Sequence, residues 1–265
     1  MYSILNLNEI EQQQVQKVQT FISQCLLDNL LAVYLYGSAV EDGLQPYSDI
    51  DFLVVIKQPL SFNDRAFLMK GLLEISAYPL SSKIYRALEV TIVIYSEIIP
   101  WNFPPKRELQ FGEWLRDEII AGQYGKSEYD IDLVILLSKV RNKGVALIGE
   151  SAQNLLPIIP IEDLFRTFEE TLQIWQEPKD LIGDERNIIL TLARILFSRE
   201  SGQIIGKSQA AQWLLPQLSG TNAEILQLAH NEYLGLEIVD WSNKLAEVEE
   251  FVKLAKRIFN SRNVS

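Results

Sequence analysis

Apolar residues return at helical spacing through residues 9–30, where Val15, Val18, Ile22 and Leu26 share one face, so an amphipathic helix is expected there. A compact apolar run, LAVYLY, follows at 31–36 and reads as a strand. A second apolar run covers 52–56. A third, ALEVTIVIY at 87–95, is rich in β-branched residues and also reads as a strand. Between the second and third, residues 63–74 suit a helix with an Asn-Asp start. The Pro-rich stretch IPWNFPP leads into a short helix expected over 106–118, and 130–140 carries another. After SAQNLLPIIP the strand-like runs stop. Helices are expected at 162–176, at 185–201 with Gly202 as C-cap, and at 207–218, 223–233 and 245–259. The pattern predicts an α/β domain followed by a helical one, with the boundary near Pro157.

The chain has 265 residues, enough for one large domain or two modest ones. Hydrophobic residues make up 48% and charged residues 22%, ordinary values for a soluble globular protein. No apolar run is long enough to cross a membrane, and the N-terminal stretch lacks the basic region and apolar core of a secretory signal, so a cytoplasmic protein with no membrane partner is expected. A single cysteine, Cys25, excludes an intramolecular disulfide and a Cys-rich metal site. A single histidine, His230, excludes paired-histidine chemistry. Catalysis would have to run on carboxylates, hydroxyls and a metal ion. The net charge is −11, from 24 basic and 35 acidic residues; it disfavours nucleic acid as partner and suits a cationic small substrate, although plain solubility explains it equally well.

One stretch needs a chemical reason. In LYGSAVEDGLQPYSDIDFLVVI, two acids stand immediately before and at the start of an apolar strand. Asp49 and Asp51 are two apart, so an extended chain points them to one face, with Cα atoms about 6.6 Å apart. Two carboxylates on one face can hold hard cations, and Mg²⁺ takes few carboxylates plus substrate phosphates. Gly37 and Ser38 follow a strand, and such a turn frees amides and a hydroxyl for phosphate oxygens. Gly43 allows the connecting turn, and Ser48 adds a hydroxyl. Glu89 precedes VTIVIY in the third strand, another acid at the head of an apolar run. If these strands are neighbours, three carboxylates converge in the manner of two-metal phosphoryl or nucleotidyl transfer. A bare D-x-D is most often a solvated turn. The full spacing G-S-x4-G-x4-S-D-x-D between two strands, with an acid opening a later strand, is far more specific.

YGSAVEDGLQPYSDIDFLV resembles the nucleotidyltransferase signature of the DNA polymerase β-like superfamily. RALEVTIVIYSEIIPW, PPKRELQFGEWLRDEI, DIDLVILL, GDERNIILTLARI and EYLG extend the resemblance to the aminoglycoside (3'')(9) adenylyltransferases, which modify streptomycin and spectinomycin. The resemblance implies an α/β (α+β) nucleotidyltransferase domain with a mixed sheet at residues 1–157. An all-α helical bundle at 158–265 would contribute to ATP and drug binding. It implies that Asp49, Asp51 and Glu89 hold two Mg²⁺ ions, that Glu89 is the general base, and that ATP is the co-substrate. Ser38, Ser48, Asp132, Asn187, Arg194, Lys207 and Tyr233 match positions associated with ATP. Trp114, Trp175, Asp180 and Asp184 match the drug side, where a guanidinium- or amine-bearing molecule needs acids and an aromatic wall. The pair Trp175 and Asp180 resembles members that act on both drugs. Apart from the resemblance, Lys207 reads as a helix-start lysine, Tyr233 and Trp175 as core aromatics and Asp180 as a loop acid. One departure is visible: Leu196 and Phe197 stand where relatives often carry Trp-Tyr. The expected protein is a monomer acting on small molecules. The alternatives are a spectinomycin-only enzyme, a nucleotidyltransferase with another acceptor, or a non-catalytic nucleotide-binding module.

Overall fold

The computed structural model describes residues 7–261 and divides into two compact units, 1–159 and 160–265. In the first, α1 (Glu9–Leu26) begins with a capping box: the Asn8 side chain accepts from Glu11 N, and Glu11 accepts from Asn8 N. The helix stops short of residue 30 because Leu27 turns to φ 44°, and a 3-10 turn delivers the chain into β1 (Leu30–Tyr36). Then come β2 (Ile50–Ile56), α2 (Phe62–Leu73) and β3 (Leu88–Ile94). A Ser61–Asp64 capping box starts α2, one residue before the expected Asn-Asp.

The chain continues through α3 (Tyr95–Ile98), β4 (Lys106–Arg107), β5 (Leu109–Gly112), α4 (Arg116–Ile120) and β6 (Glu128–Tyr129). The helix expected over 106–118 is therefore wrong for most of its length. Leu109 and Phe111 are buried while Gln110 between them is not, a period of two that pairs the segment with β3. Unit one closes with α5 (Asp132–Lys143), β7 (Val145–Ile148) and α6 (Ala152–Leu155); β7 was not foreseen.

The main sheet runs β5-β3-β2-β1-β7. Only β2 and β3 pair in parallel; the other three pairings are antiparallel, so the sheet is mixed. Each face buries its own apolar set. Val33, Leu35, Phe52, Val54, Val90 and Ile92 pack with α1 and α2. Ala32, Tyr34, Tyr36, Leu53, Val55 and Val93 pack with Leu133, Leu137 and Val140 of α5. This second face is the one that carries the acids.

The second unit contains α7 (Ile161–Leu172), α8 (Glu185–Ser201), α9 (Lys207–Leu214), α10 (Thr221–Tyr233) and α11 (Leu245–Ser261), with no strand among its described residues. Gly202 caps α8 at φ 69°, its N–H donating to Ser198 O. The Leu196–Phe197 departure is a packing change: Leu196 is buried, and Phe197 meets Trp213 edge-on with ring centres 5.3 Å apart. No helix among the described residues is long and apolar enough to cross a membrane.

Candidate active site

The sheet lines up its polar residues in one row. Tyr36 pairs with Asp51, Asp51 with Glu89, and Glu89 with Gly112. Residues in register share a face, and neighbouring strands lie about 4.8 Å apart. Asp51 and Glu89 are thus side by side because β2 and β3 enter the sheet from the same end. Asp49 lies two residues before Asp51, just outside the strand. Tyr36 is buried, and its phenol is pushed well above the ordinary tyrosine value, first by burial and then by the charges of Glu89 and Asp51, with Asp49 adding less. All three carboxylates therefore act on one neutral hydroxyl. The register aligns Asp51 with Glu89, and Asp49 sits just ahead of the ladder; among the described residues no group of three acidic, histidine or cysteine side chains is already closed into a metal cage.

The Gly-Ser turn is shaped around Asp51. Gly37 has φ +69°, and a Cβ there would lie 1.9 Å from Asp51 Oδ2. The half-buried Ser38 sits in the 3-10 turn Gly37–Ala39, where Val40 N and Glu41 N both donate to Gly37 O at 3.1 Å. The second serine closes another turn: Ser48 Oγ accepts from Gln45 N at 3.0 Å, and Ser48 N donates to Gln45 O at 3.0 Å. Arg86, just ahead of β3, fixes that turn by donating to Gln45 O at 2.8 Å and Ser48 O at 3.2 Å, while its Nε pairs with Glu11 at 2.8 Å.

Glu89 Oε1 accepts from Gln110 Nε2 at 3.3 Å. Gln110 Oε1 in turn accepts from Arg107, which also pairs with Glu128 and Asp130. Asp130 receives the backbone N–H of Asp132 at 2.9 Å, at the start of α5. The Asp132 carboxyl is raised, first by desolvation and then by Asp130, with Arg107 opposing. Trp114 lies over Gly112: a Cβ on that glycine would come within 2.3 Å of the indole. The ring is therefore beside Glu89's register partner, and the residue is 55% exposed.

In the second unit, Asn187 and Arg194 follow one face of α8 at i and i+7, with Thr191 between them. Asn187 accepts from Lys207 Nζ at 3.0 Å and donates to Asp184 at 2.7 Å. Lys207 also sits 5.9 Å from the Tyr233 ring centre. Asn187, Lys207, Tyr233 and Asp184 thus form one cluster. Arg194 contacts Thr191 at 3.5 Å. Trp175 and Asp180 belong to the loop before α8. The Asp180 carboxylate accepts from Gln176 N at 3.1 Å and Glu177 N at 2.8 Å, and those amides hold it below the usual carboxylate range. Lys256 of α11 donates to Trp175 O.

Tyr36, Gln110, Arg107, Asp130 and Arg86 were not singled out by the sequence. The signal for Gln110 was its place between Leu109 and Phe111; for Arg86, its place directly before an apolar strand.

A mixed sheet that sets a Gly-Ser turn against an acid row is the frame of a nucleotidyltransferase, and this chain is one. Residues 16–100 match the family described as polymerase beta nucleotidyltransferase, and 154–257 match the aminoglycoside adenylyltransferase C-terminal domain. An aminoglycoside (3'') (9) adenylyltransferase of Escherichia coli is 46% identical, with 92% of each chain covered. A spectinomycin 9-adenylyltransferase of Campylobacter jejuni is 38% identical, with 96% of each covered. The crystal structure of spectinomycin adenyltransferase AAD(9) from Enterococcus faecialis with ATP and spectinomycin is similar at a TM-score of 0.87 and 32% identity, over 94% of this chain and 99% of that one. The chain belongs to the aminoglycoside (3'')(9) adenylyltransferase family.

Proposed function

We propose that this protein transfers the adenylyl group of ATP to the 3''-hydroxyl of streptomycin and the 9-hydroxyl of spectinomycin, conferring resistance to both. The relatives support adenylyl transfer from ATP to drugs of this class. The observation that carries the reading is the in-register pair Asp51 and Glu89 beside the Gly37–Ser38 turn.

The donor set suits a hard cation. Asp49, Asp51 and Glu89 offer oxygens only, and all three charges bear on the neutral Tyr36 hydroxyl. These three side chains would hold Mg²⁺, two ions in this reading, and the bound metal would neutralise phosphate charge and lower the pKa of the drug hydroxyl. The chain's own residues do the rest. Ser38 and Ser48 hold phosphate oxygens through their hydroxyls. Arg194 and Lys207 offset triphosphate charge, Asn187 orients Lys207, and Tyr233 gives adenine a stacking face. Asp132 completes the nucleotide contacts. Glu89 accepts the proton of the drug hydroxyl as that oxygen attacks the α-phosphorus, and pyrophosphate leaves, with no covalent enzyme intermediate. Trp114 walls the drug beside Glu89. Asp184, Trp175 and Asp180 receive its cationic groups, each charge-assisted bond contributing about 1.5–3 kcal/mol.

The test is incubation with ATP, Mg²⁺ and each drug, followed by product masses. An adenylyl gain on both drugs is expected and is lost in Glu89→Gln with ATP binding retained. Gain on spectinomycin alone selects the narrower enzyme; gain on neither sinks the proposal and leaves another acceptor. The presence of Trp175 and Asp180 together favours the dual-drug reading.

A further inference from the structure

We infer that Gln110 is a positioning residue that aims Glu89 and that Arg107 fixes the sense of its amide; this rests on Glu89 being the base. A glutamate placed beside Asp51 by strict register is repelled by a like charge whenever metal is absent, and has rotatable bonds with which to swing away. Gln110 Nε2 lies 3.3 Å from Glu89 Oε1, and its N–H opposes that swing. An amide could equally present its oxygen, which would repel the carboxylate. Arg107 removes that choice: a guanidinium has only donors, so the amide oxygen must face it and the N–H must face Glu89.

Arg107 is itself held. Its backbone pairs with Glu128 across β4 and β6, and its side chain is bound by Glu128 and Asp130. Asp130 also receives the N–H of Asp132. An unbroken series of directional bonds therefore runs from the start of α5 to the base. Gln110 reaches Glu89 because it pairs with Thr91, two residues along the same strand face.

The test compares Gln110→Glu, Gln110→Met and Arg107→Met in the full-length protein, with ATP, Mg²⁺ and spectinomycin. Gln110→Glu keeps a partner for Arg107 but turns the contact to Glu89 into repulsion. Its kcat should fall about tenfold or more while KM for ATP and melting temperature stay near the wild-type values. Gln110→Met, uncharged and of similar length, should fall less, and Arg107→Met less again because the amide can then turn over. In a Glu89→Gln background, where only trace product is left to be read by mass after long incubation, Gln110→Glu should change that trace rate less than about twofold. A Gln110→Glu enzyme with wild-type kcat overturns the inference. So does an equal loss in both backgrounds, which would place the effect elsewhere. If Glu89→Gln itself turns over at the wild-type rate, it is the base assignment that fails.

Discussion

A Cβ on Gly37 would stand 1.9 Å from Asp51 Oδ2, at a backbone φ of +69° that L side chains rarely adopt. The smallest possible substitution, Gly37→Ala, therefore strains the turn and displaces the carboxylate at once. Stability should fall by about 1–3 kcal/mol. Turnover should fall about a hundredfold, because misplacing a reacting group by an ångström costs that much. Parallel melting and kinetic measurements separate the two; a fully active Gly37→Ala would show that Asp51 does not need this position.

Arg86 ties α1 to the Ser48 turn through Glu11, Gln45 O and Ser48 O. Arg86→Met should lower the denaturation free energy by about 1–3 kcal/mol, since Glu11 is buried and loses its charge partner while the pair is partly screened. KM for ATP should rise as the serine turn loosens. An unchanged KM in a destabilised variant would confine Arg86 to holding the fold.

Gly112 leaves the space that the Trp114 indole fills. Gly112→Ala should lift the ring away from Glu89's row and raise the drug KM about tenfold, with KM for ATP little changed. Tryptophan fluorescence with and without drug, compared between Gly112→Ala and Trp114→Phe, isolates the Trp114 signal among the five tryptophans. Equal effects on ATP and drug would contradict a drug-side role for Trp114.

On the dual-drug reading, Asp180→Asn separates charge from architecture. The amide oxygen can still accept from Gln176 N and Glu177 N, so the loop should persist. Without the negative charge, streptomycin turnover (kcat/KM) should drop about tenfold more than spectinomycin turnover. Equal losses for the two drugs would remove Asp180 from streptomycin selection.

His230 is buried and shares a 2.8 Å hydrogen bond with Ser208. Burial lowers its pKa below the ordinary 6.5, so as pH falls the unfolded chain takes up the proton first. This contribution is complete above about 6.5 and is lost as pH drops from there toward the lowered value, by up to about 1.4 kcal/mol per pH unit. Melting temperatures between about pH 7.5 and 5.5 should fall more steeply for the wild type than for His230→Gln. Parallel slopes would mean that other groups set the dependence.

Asp49, Asp51 and Glu89 stood out because each stands at the head of an apolar run, where a charge lacks a packing reason. Gly202 was readable for a different local cause: a left-handed cap selects glycine. The segment 106–118 misled because its charged residues fit helical spacing as well as strand spacing. Its charges are settled by partners distant in sequence: Glu108 is buried against Arg65, which no local pattern states. Pairing with β3 then overrides local preference. Gln110, Arg107 and Tyr36 were invisible for this reason, since their work is defined across the sheet. The Lys207–Asn187–Asp184 series was likewise hidden, since it joins two helices through side-chain ends.

The parallel joining of β2 and β3 has a kinetic corollary. Two acids far apart in sequence acquire their mutual placement only when the central ladder zips, and no loop has to settle afterwards. Half-formed chains released during synthesis, ending before β3, would carry the whole Gly-Ser and D-x-D segment yet be catalytically silent. The acid pair should form in one step as soon as that strand docks, with activity waiting on the later helices.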